Sequence, residues 1–143
     1  QAAVGIAQLR RVAALDEARR RNFARLLAGL SDLEHLFVLP RATTGSDPSW
    51  FGFPLTVREG LRRGDVVRHL ESRKISTRML FAGNILRQPG FQGIPHRVVG
   101  DLVNTDRVMR DTFWIGVYPG ITDEMVDYVV SAMHDFQPPR RLA

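Results

Sequence analysis

The stretch FAGNILRQPGF, residues 81–91, carries the side chains of this sequence best suited to hold a polar ligand. Its donors Asn84 and Arg87, with Gln88 and Arg97 nearby, lie among glycines and prolines, a pattern typical of neither helix nor strand. Amide and guanidinium groups donate to carboxylate and phosphate oxygens, and one arginine can bind two oxygens at once. We therefore expect a binding loop held on a rigid scaffold. A plain surface loop is the alternative.

Most other patterns that carry chemistry are absent. The chain has no cysteine, which excludes thiolate nucleophiles, iron–sulfur ligation and disulfides within it. Its four histidines lack the spacing of a zinc site, and it has neither a phosphate-binding loop nor a dinucleotide glycine fingerprint. The single lysine, Lys74, follows a predicted helix and is expected to be solvated rather than to form a Schiff base. We expect no catalytic residue and no metal site in this chain.

Trp50, Phe51 and Phe53 could form a stacking platform for RNA in a chain of net charge +5. Alternate residues of a strand share a face, so Phe51 and Phe53 would lie on one side and Trp50 on the other. Core packing explains these aromatics as well, and we expect no nucleic-acid partner. No apolar run approaches the roughly 20 residues that cross a bilayer, so no membrane partner is expected. The absence of cysteine is compatible with a cytoplasmic location.

The elements that position these residues predict an α+β domain, with a small, mainly antiparallel sheet and helices on one side. Apolar periodicity predicts one long helix over residues 1–29, with Gly29 at its end. Because this helix is most apolar at its uncapped start, we expect that the chain was cut from a longer protein and that Val4, Ile6 and Leu9 are exposed. Further strands are predicted at 35–39, 49–57, 77–81 and 112–118, and further helices at 64–74, 104–111 and from the cap Thr122 onward.

These residues resemble a known family. The strings TRMLFAGNILRQPGF and RVVGDLVNTDRVMRDTFWIGVYPGITDEMVDYVV are similar to the C-terminal part of nucleotide-sugar 3-dehydrases of the CDP-4-dehydro-6-deoxyglucose 3-dehydrase type. QAAVGIAQL resembles the linking helix of the wider DegT–StrS sugar aminotransferase family. The resemblance implies the small C-terminal domain of an aspartate-aminotransferase-like, pyridoxal-phosphate-dependent fold. Residues 1–30 would be the linking helix, 31–137 the small domain and 138–143 a tail, and the large cofactor-binding domain would be absent.

The resemblance also implies an activity. Such enzymes use pyridoxamine or pyridoxal 5′-phosphate to remove the C3 hydroxyl of a nucleotide-linked 4-keto-6-deoxy sugar, in dideoxysugar and lipopolysaccharide O-antigen biosynthesis. The parent would be a homodimer, and some members add an upstream iron–sulfur cluster and a partner reductase. By itself the chain would be inactive and hold no cofactor. The alternatives are a nucleotide-sugar aminotransferase on the same fold and a stand-alone basic binding module.

Four residues receive roles from this resemblance. Phe51 lies roughly where sugar aminotransferases tend to have a histidine, and an apolar ring there favours a dehydrase with Phe51 as an active-site wall; core packing is the alternative. Arg107 lies near the position from which small-domain arginines reach the cofactor and substrate. Asn84 and Arg87 would contact the sugar or the diphosphate. We expect the 81–91 loop and Arg107 to converge on one substrate cleft.

Overall fold

The structure, a computed structural model, describes residues 1–138 as five α-helices and one four-stranded sheet. The helices are α1 (Ala2–Leu9), α2 (Val12–Gly29), α3 (Arg63–Ser72), α4 (Val103–Asp111) and α5 (Asp123–His134). The strands are β1 (Phe37–Val38), β2 (Gly52–Val57), β3 (Thr77–Met79) and β4 (Thr112–Gly116). Single-turn 3₁₀ helices occur at Ser31–His35, Ile85–Arg87 and Pro89–Phe91. Of the predicted tail, only residue 138 lies within the described residues.

The sheet has the strand order β1-β2-β4-β3, and every neighbouring pair is antiparallel. Because side chains alternate along a strand, one face carries Phe53 and Leu55 of β2 opposite Ile115 and Phe113 of β4. These four side chains are buried, and they join one core with apolar residues of α2, α3 and α5. The predicted α+β class, a small antiparallel sheet with helices on one side, is confirmed.

The other face of the sheet remains partly open. Pro54 and Trp114, which are paired across β2 and β4, are half-buried there, and Arg78 of β3 is exposed beside Trp114. Gly52 lies under the indole, since a Cβ at this position would come within 2.2 Å of Cε3 of Trp114. This close approach requires glycine, and it places the indole of Trp114 directly against the backbone of β2 on the open face.

The single helix predicted over residues 1–29 is instead two helices, with a turn at Arg10 and Arg11 between them. At the turn, the amide of Arg11 donates to the carbonyl of Gln8, three residues back, instead of four. No residue of α1 is buried, so no packing holds it in line with α2. The exposure predicted for Val4, Ile6 and Leu9 is confirmed, at 65%, 55% and 72%. None of the helices in residues 1–138 is long and apolar enough to cross a membrane.

The other boundaries agree with the sequence pattern in their order and differ at their ends. The strand predicted at 35–39 is only Phe37–Val38, because the preceding residues form a 3₁₀ turn. Thr122 caps α5 as predicted, accepting a hydrogen bond from the amide of Met125 at 3.3 Å. The cap predicted for α4 at Asn104 or Thr105 is wrong. α4 begins at Val103, and the backbone amide of Val103 donates to the carboxylate of Asp101 at 3.2 Å.

Candidate functional site

Asn84 fastens the 81–91 loop to the rest of the domain. It is only 3% exposed, and its Oδ1 accepts a hydrogen bond from the amide of Leu86 at 3.0 Å, which caps the short 3₁₀ turn. Its Nδ2 donates to Oδ1 of Asp106 on α4 at 2.6 Å. Both ends of the buried amide are therefore bonded within the protein, and Asn84 fixes the shape of the loop instead of presenting an open donor.

Arg87 binds the same carboxylate. Its Nε donates to Oδ1 of Asp106 at 3.2 Å and its Nη2 donates to Oδ2 at 2.8 Å, the paired geometry of a guanidinium on a carboxylate. These bonds from Arg87, together with the one from Asn84, lower the pKa of Asp106 from 3.8 to about 2. We call Asn84, Arg87 and Asp106 the Asp106 cluster. Asp106 was not predicted from the sequence, because an acidic residue in a helix's first turn is normally explained by the helix dipole.

We expect protonation of Asp106 in acid to weaken its bonds with Arg87 and Asn84 and so to lower the stability of the fold. The variant Asp106→Asn tests this expectation. A carboxyl whose pKa is lowered on folding stabilises the folded state above its ordinary pKa, and that contribution is lost as the pH falls through its folded value. For Asp106 the window runs from about pH 4 down to about pH 2. We expect the free energy of unfolding to fall more steeply in this window for the wild type than for Asp106→Asn. Urea unfolding at a series of pH values measures both slopes, and equal slopes would contradict the prediction.

Gly83 supplies a second attachment of the loop to α4. Its φ is +62°, and a Cβ built on it would lie 2.5 Å from Cβ and 2.7 Å from Cα of Met109. Only glycine accommodates both the left-handed backbone and this contact. The 81–91 loop is thus held against α4 at Gly83 and again by the Asp106 cluster.

Phe51 lies at the open face of the sheet and not in the core. It is 64% exposed, its ring centroid is 5.1 Å from that of Trp114, and the guanidinium of Arg19 lies 6.0 Å from its centroid. The ring borders an apolar cleft of about 280 Å³. We call this the aromatic cleft, and its lining includes Trp50, Phe51, Pro54, Leu80, Phe81 and Trp114. Because Leu80 and Phe81 lead into the 81–91 loop, the loop and the aromatic cleft adjoin.

The prediction that Phe51 and Phe53 share a face of the sheet is wrong. β2 begins only at Gly52, and Phe51 lies in a bend, so the strand alternation does not extend to it. Phe53 is fully buried, and Trp50 stacks on Phe23 with the ring centroids 4.9 Å apart. The three aromatics therefore do not form a common stacking platform.

Arg107 lines a different cleft from the one that the loop borders. This arginine cleft, of about 490 Å³, lies between the segment after β2 and the end of α4, and its charged lining residues are Arg58, Glu59, Arg107, Arg110 and Asp111. Consecutive helix residues point about 100° apart, so Asp106 can face the loop while Arg107 faces away from it. The expectation that Arg107 converges with Asn84 and Arg87 on one cleft is therefore not met.

Among the described residues, no group of three acidic or histidine side chains could hold a metal ion.

Known proteins resemble this chain over nearly its whole length. The lipopolysaccharide biosynthesis protein RfbH of Salmonella typhimurium is 54% identical over 138 residues, which are 95% of this chain and 32% of RfbH. The dTDP-4-dehydro-2,6-dideoxy-D-glucose 3-dehydratase of Saccharopolyspora spinosa is 51% identical over 138 residues, again 95% of this chain and 30% of that protein. The chain thus spans about a third of the length of these relatives.

A solved structure shows the same fold. The E. coli GDP-4-keto-6-deoxy-D-mannose-3-dehydratase with bound hydrated PLP superposes with a TM-score of 0.83 at 23% identity, over 92% of this chain and 34% of that one. The predicted fold, that of part of a PLP-dependent, aminotransferase-like enzyme, is confirmed. A profile of the DegT/DnrJ/EryC1/StrS aminotransferase family matches residues 1–134. The chain therefore belongs to the DegT/DnrJ/EryC1/StrS aminotransferase family.

Proposed function

We propose that this chain is the small domain of a nucleotide-sugar 3-dehydrase, an enzyme that removes the C3 hydroxyl of a nucleotide-linked 4-keto-6-deoxy sugar in deoxysugar and lipopolysaccharide biosynthesis. The observation that carries the proposal is the 51% identity, over 95% of the chain, to a protein named as a dTDP-sugar 3-dehydratase. In this proposal residues 1–30 link the small domain, residues 31–137, to a large domain elsewhere in the full-length protein.

The aromatic cleft supports the dehydrase branch. Phe51 borders it with an exposed phenyl ring, and this ring can neither donate nor accept a proton. An apolar wall of aromatic rings suits the less polar parts of a deoxysugar and keeps water away from it. We propose that Phe51 forms such a wall, and that Asn84 and Arg87 act on the substrate indirectly, by holding the 81–91 loop in place next to it.

The described residues do not by themselves fit a phosphopyridoxyl group. Lys74, the single lysine of the sequence, is exposed just after α3 and has a φ of +64°. A lysine that forms a Schiff base with the cofactor would be expected in an enclosed site instead. Asp106, the carboxylate next to the predicted loop, is held ionised by Asn84 and Arg87 and is unsuited to serve as a general base. We therefore expect most cofactor contacts, including those to the pyridine ring, to come from the large domain, and we assign no proton transfer to this chain.

The wider assembly belongs to the same proposal. A homodimer with shared active sites, pyridoxamine or pyridoxal 5′-phosphate held by the large domain, and a cytoplasmic location follow from the family resemblance. The resemblance leaves two routes open: some members use an iron–sulfur cluster and a partner reductase, and others release ammonia and regenerate the cofactor with glutamate.

Product analysis of the full-length gene product tests the function. We expect incubation with pyridoxamine 5′-phosphate and a dTDP-linked 4-keto-6-deoxy sugar to yield a sugar that has lost one oxygen atom, detected by mass spectrometry. A 4-amino sugar that retains all its hydroxyl groups would instead support the aminotransferase and overturn the proposal. The isolated 143-residue chain serves as a control, and it is expected to show neither activity.

A further inference from the structure

We propose that the arginine cleft is a phosphate-binding site in which Arg58 and Arg107 are the donors. Its volume of about 490 Å³ lies within the range of small-molecule sites, and three arginines line it from two separate segments of the chain. Planar guanidinium groups bind phosphate and carboxylate oxygens in pairs, and phosphate is the anionic group that the proposed substrate and the proposed cofactor both carry. Arg58 and Arg110 have no assigned role in the proposed function, and this inference deepens that function and rests on it.

The three arginines differ in how far the protein already satisfies them. Arg110 is bonded to both oxygens of Asp111, through Nε at 3.0 Å and Nη2 at 2.7 Å. Arg58 donates its Nε to the carbonyl oxygen of Glu34 at 2.6 Å, which orients the side chain and leaves its terminal nitrogens for a ligand. Within residues 1–138, the side chain of Arg107 makes no hydrogen bond or ion pair. Arg107 and Arg58 are therefore the principal donors, whereas Arg110 lines the cleft with its charge already compensated by Asp111.

The charge balance of the arginine cleft favours an anion. The acidic residues that line it are Glu59 and Asp111, and Asp111 is already neutralised by Arg110. Glu59 then supplies one negative charge against the two positive charges of Arg58 and Arg107, so the lining of the cleft keeps a net positive charge. Arg87 provides the contrast, since its guanidinium is fully engaged by Asp106 and has much less to offer an incoming phosphate.

Two phosphate groups could come from the proposed reaction, namely the diphosphate of the nucleotide sugar and the 5′-phosphate of the cofactor. Titrations of the full-length protein distinguish them. One arm measures the affinity of the cofactor-loaded protein for dTDP and for thymidine, which lacks phosphate. The other measures the affinity of the cofactor-free protein for pyridoxamine 5′-phosphate. Each arm compares the wild type with Arg107→Gln, Arg58→Gln and the control Arg21→Gln. Arg21 is an exposed residue of α2 whose side chain makes no hydrogen bond or ion pair with the described residues.

We expect Arg107→Gln and Arg58→Gln each to weaken phosphate binding by about 10- to 150-fold, the range for losing one charge-assisted hydrogen bond. Weakening of dTDP but not thymidine identifies the diphosphate, and weakening of the cofactor identifies the 5′-phosphate. Arg21→Gln should change neither affinity by more than about twofold. If all three variants bind dTDP and cofactor as the wild type does, with unchanged thermal unfolding, the site is refuted. That result would leave the 3-dehydrase proposal standing, because the wild-type product tests it separately.

Discussion

Replacing Gly83 by alanine is expected to lower the free energy of unfolding by about 2–5 kcal/mol and to release the 81–91 loop from α4. The left-handed backbone at φ +62° costs a non-glycine residue about 1–2 kcal/mol. The new methyl group would also overlap Cα and Cβ of Met109, and overpacking of this kind costs about 1–3 kcal/mol. Because one of the overlapping atoms belongs to the backbone, rotation of a side chain cannot relieve the contact.

Gly93→Ala is the matched control for Gly83→Ala. Gly93 also has a left-handed backbone, with φ +79°, but a Cβ there would meet nothing within 4 Å. We expect Gly93→Ala to lower the free energy of unfolding only by the cost of the left-handed backbone, about 1–2 kcal/mol. Urea unfolding of the two variants measures the difference, which isolates the contact with Met109. Equal losses would show that the loop is not held against α4 at this point.

Gly52→Ala should open the aromatic cleft. A Cβ at Gly52 would lie 2.2 Å from Cε3 of Trp114, so the indole must move off the sheet and give up its hydrogen bond to the carbonyl of Met79, now 3.2 Å long. We expect a loss of stability of about 1–3 kcal/mol from overpacking, together with a change in tryptophan fluorescence. In the full-length protein, turnover should fall by at least about tenfold, because a misplacement of about 1 Å at a reacting site can cost about a hundredfold.

Gly116→Ala separates this effect from a general cost of replacing glycine in the sheet. Gly116 lies directly opposite Gly52 on β4, and a Cβ there would meet only Cδ1 of Ile121, at 3.9 Å. Its stability, fluorescence and turnover should stay near those of the wild type. If the two variants behave alike, the position of the indole is not what Gly52 maintains.

The parts of the fold that follow from local pattern were predictable from the sequence. The strand-like runs at 49–57 and 112–118 predicted β2 and β4, and Thr122 followed by two acidic residues predicted the start of α5. The break at Arg10 and Arg11 was not predictable in this way. No glycine or proline marks the break in the sequence, and no local pattern shows that α1 lacks packing partners.

The candidate site was only partly predictable, for a reason of distance along the chain. The polar residues of the 81–91 loop stood out by type, but the partner that engages them, Asp106, lies 22 residues beyond Asn84. No local pattern shows that one carboxylate accepts from two loop side chains. The separation of Arg107 from the loop also depends on how α4 is rotated about its axis, which its contact with Gly83 fixes.

The proton count at C3 of the product sugar tests the central claim most directly. The full-length gene product would be incubated with pyridoxamine 5′-phosphate and a dTDP-linked 4-keto-6-deoxy sugar, and the released sugar examined by proton NMR. A 3-dehydrase replaces the C3 hydroxyl with hydrogen, and pyridoxamine 5′-phosphate would supply the two electrons and leave as pyridoxal 5′-phosphate and ammonia. We therefore predict that the C3 carbinol proton is replaced by the two protons of a methylene group. A C3 carbinol proton retained beside a new amine-bearing C4 would contradict it and make the protein an aminotransferase.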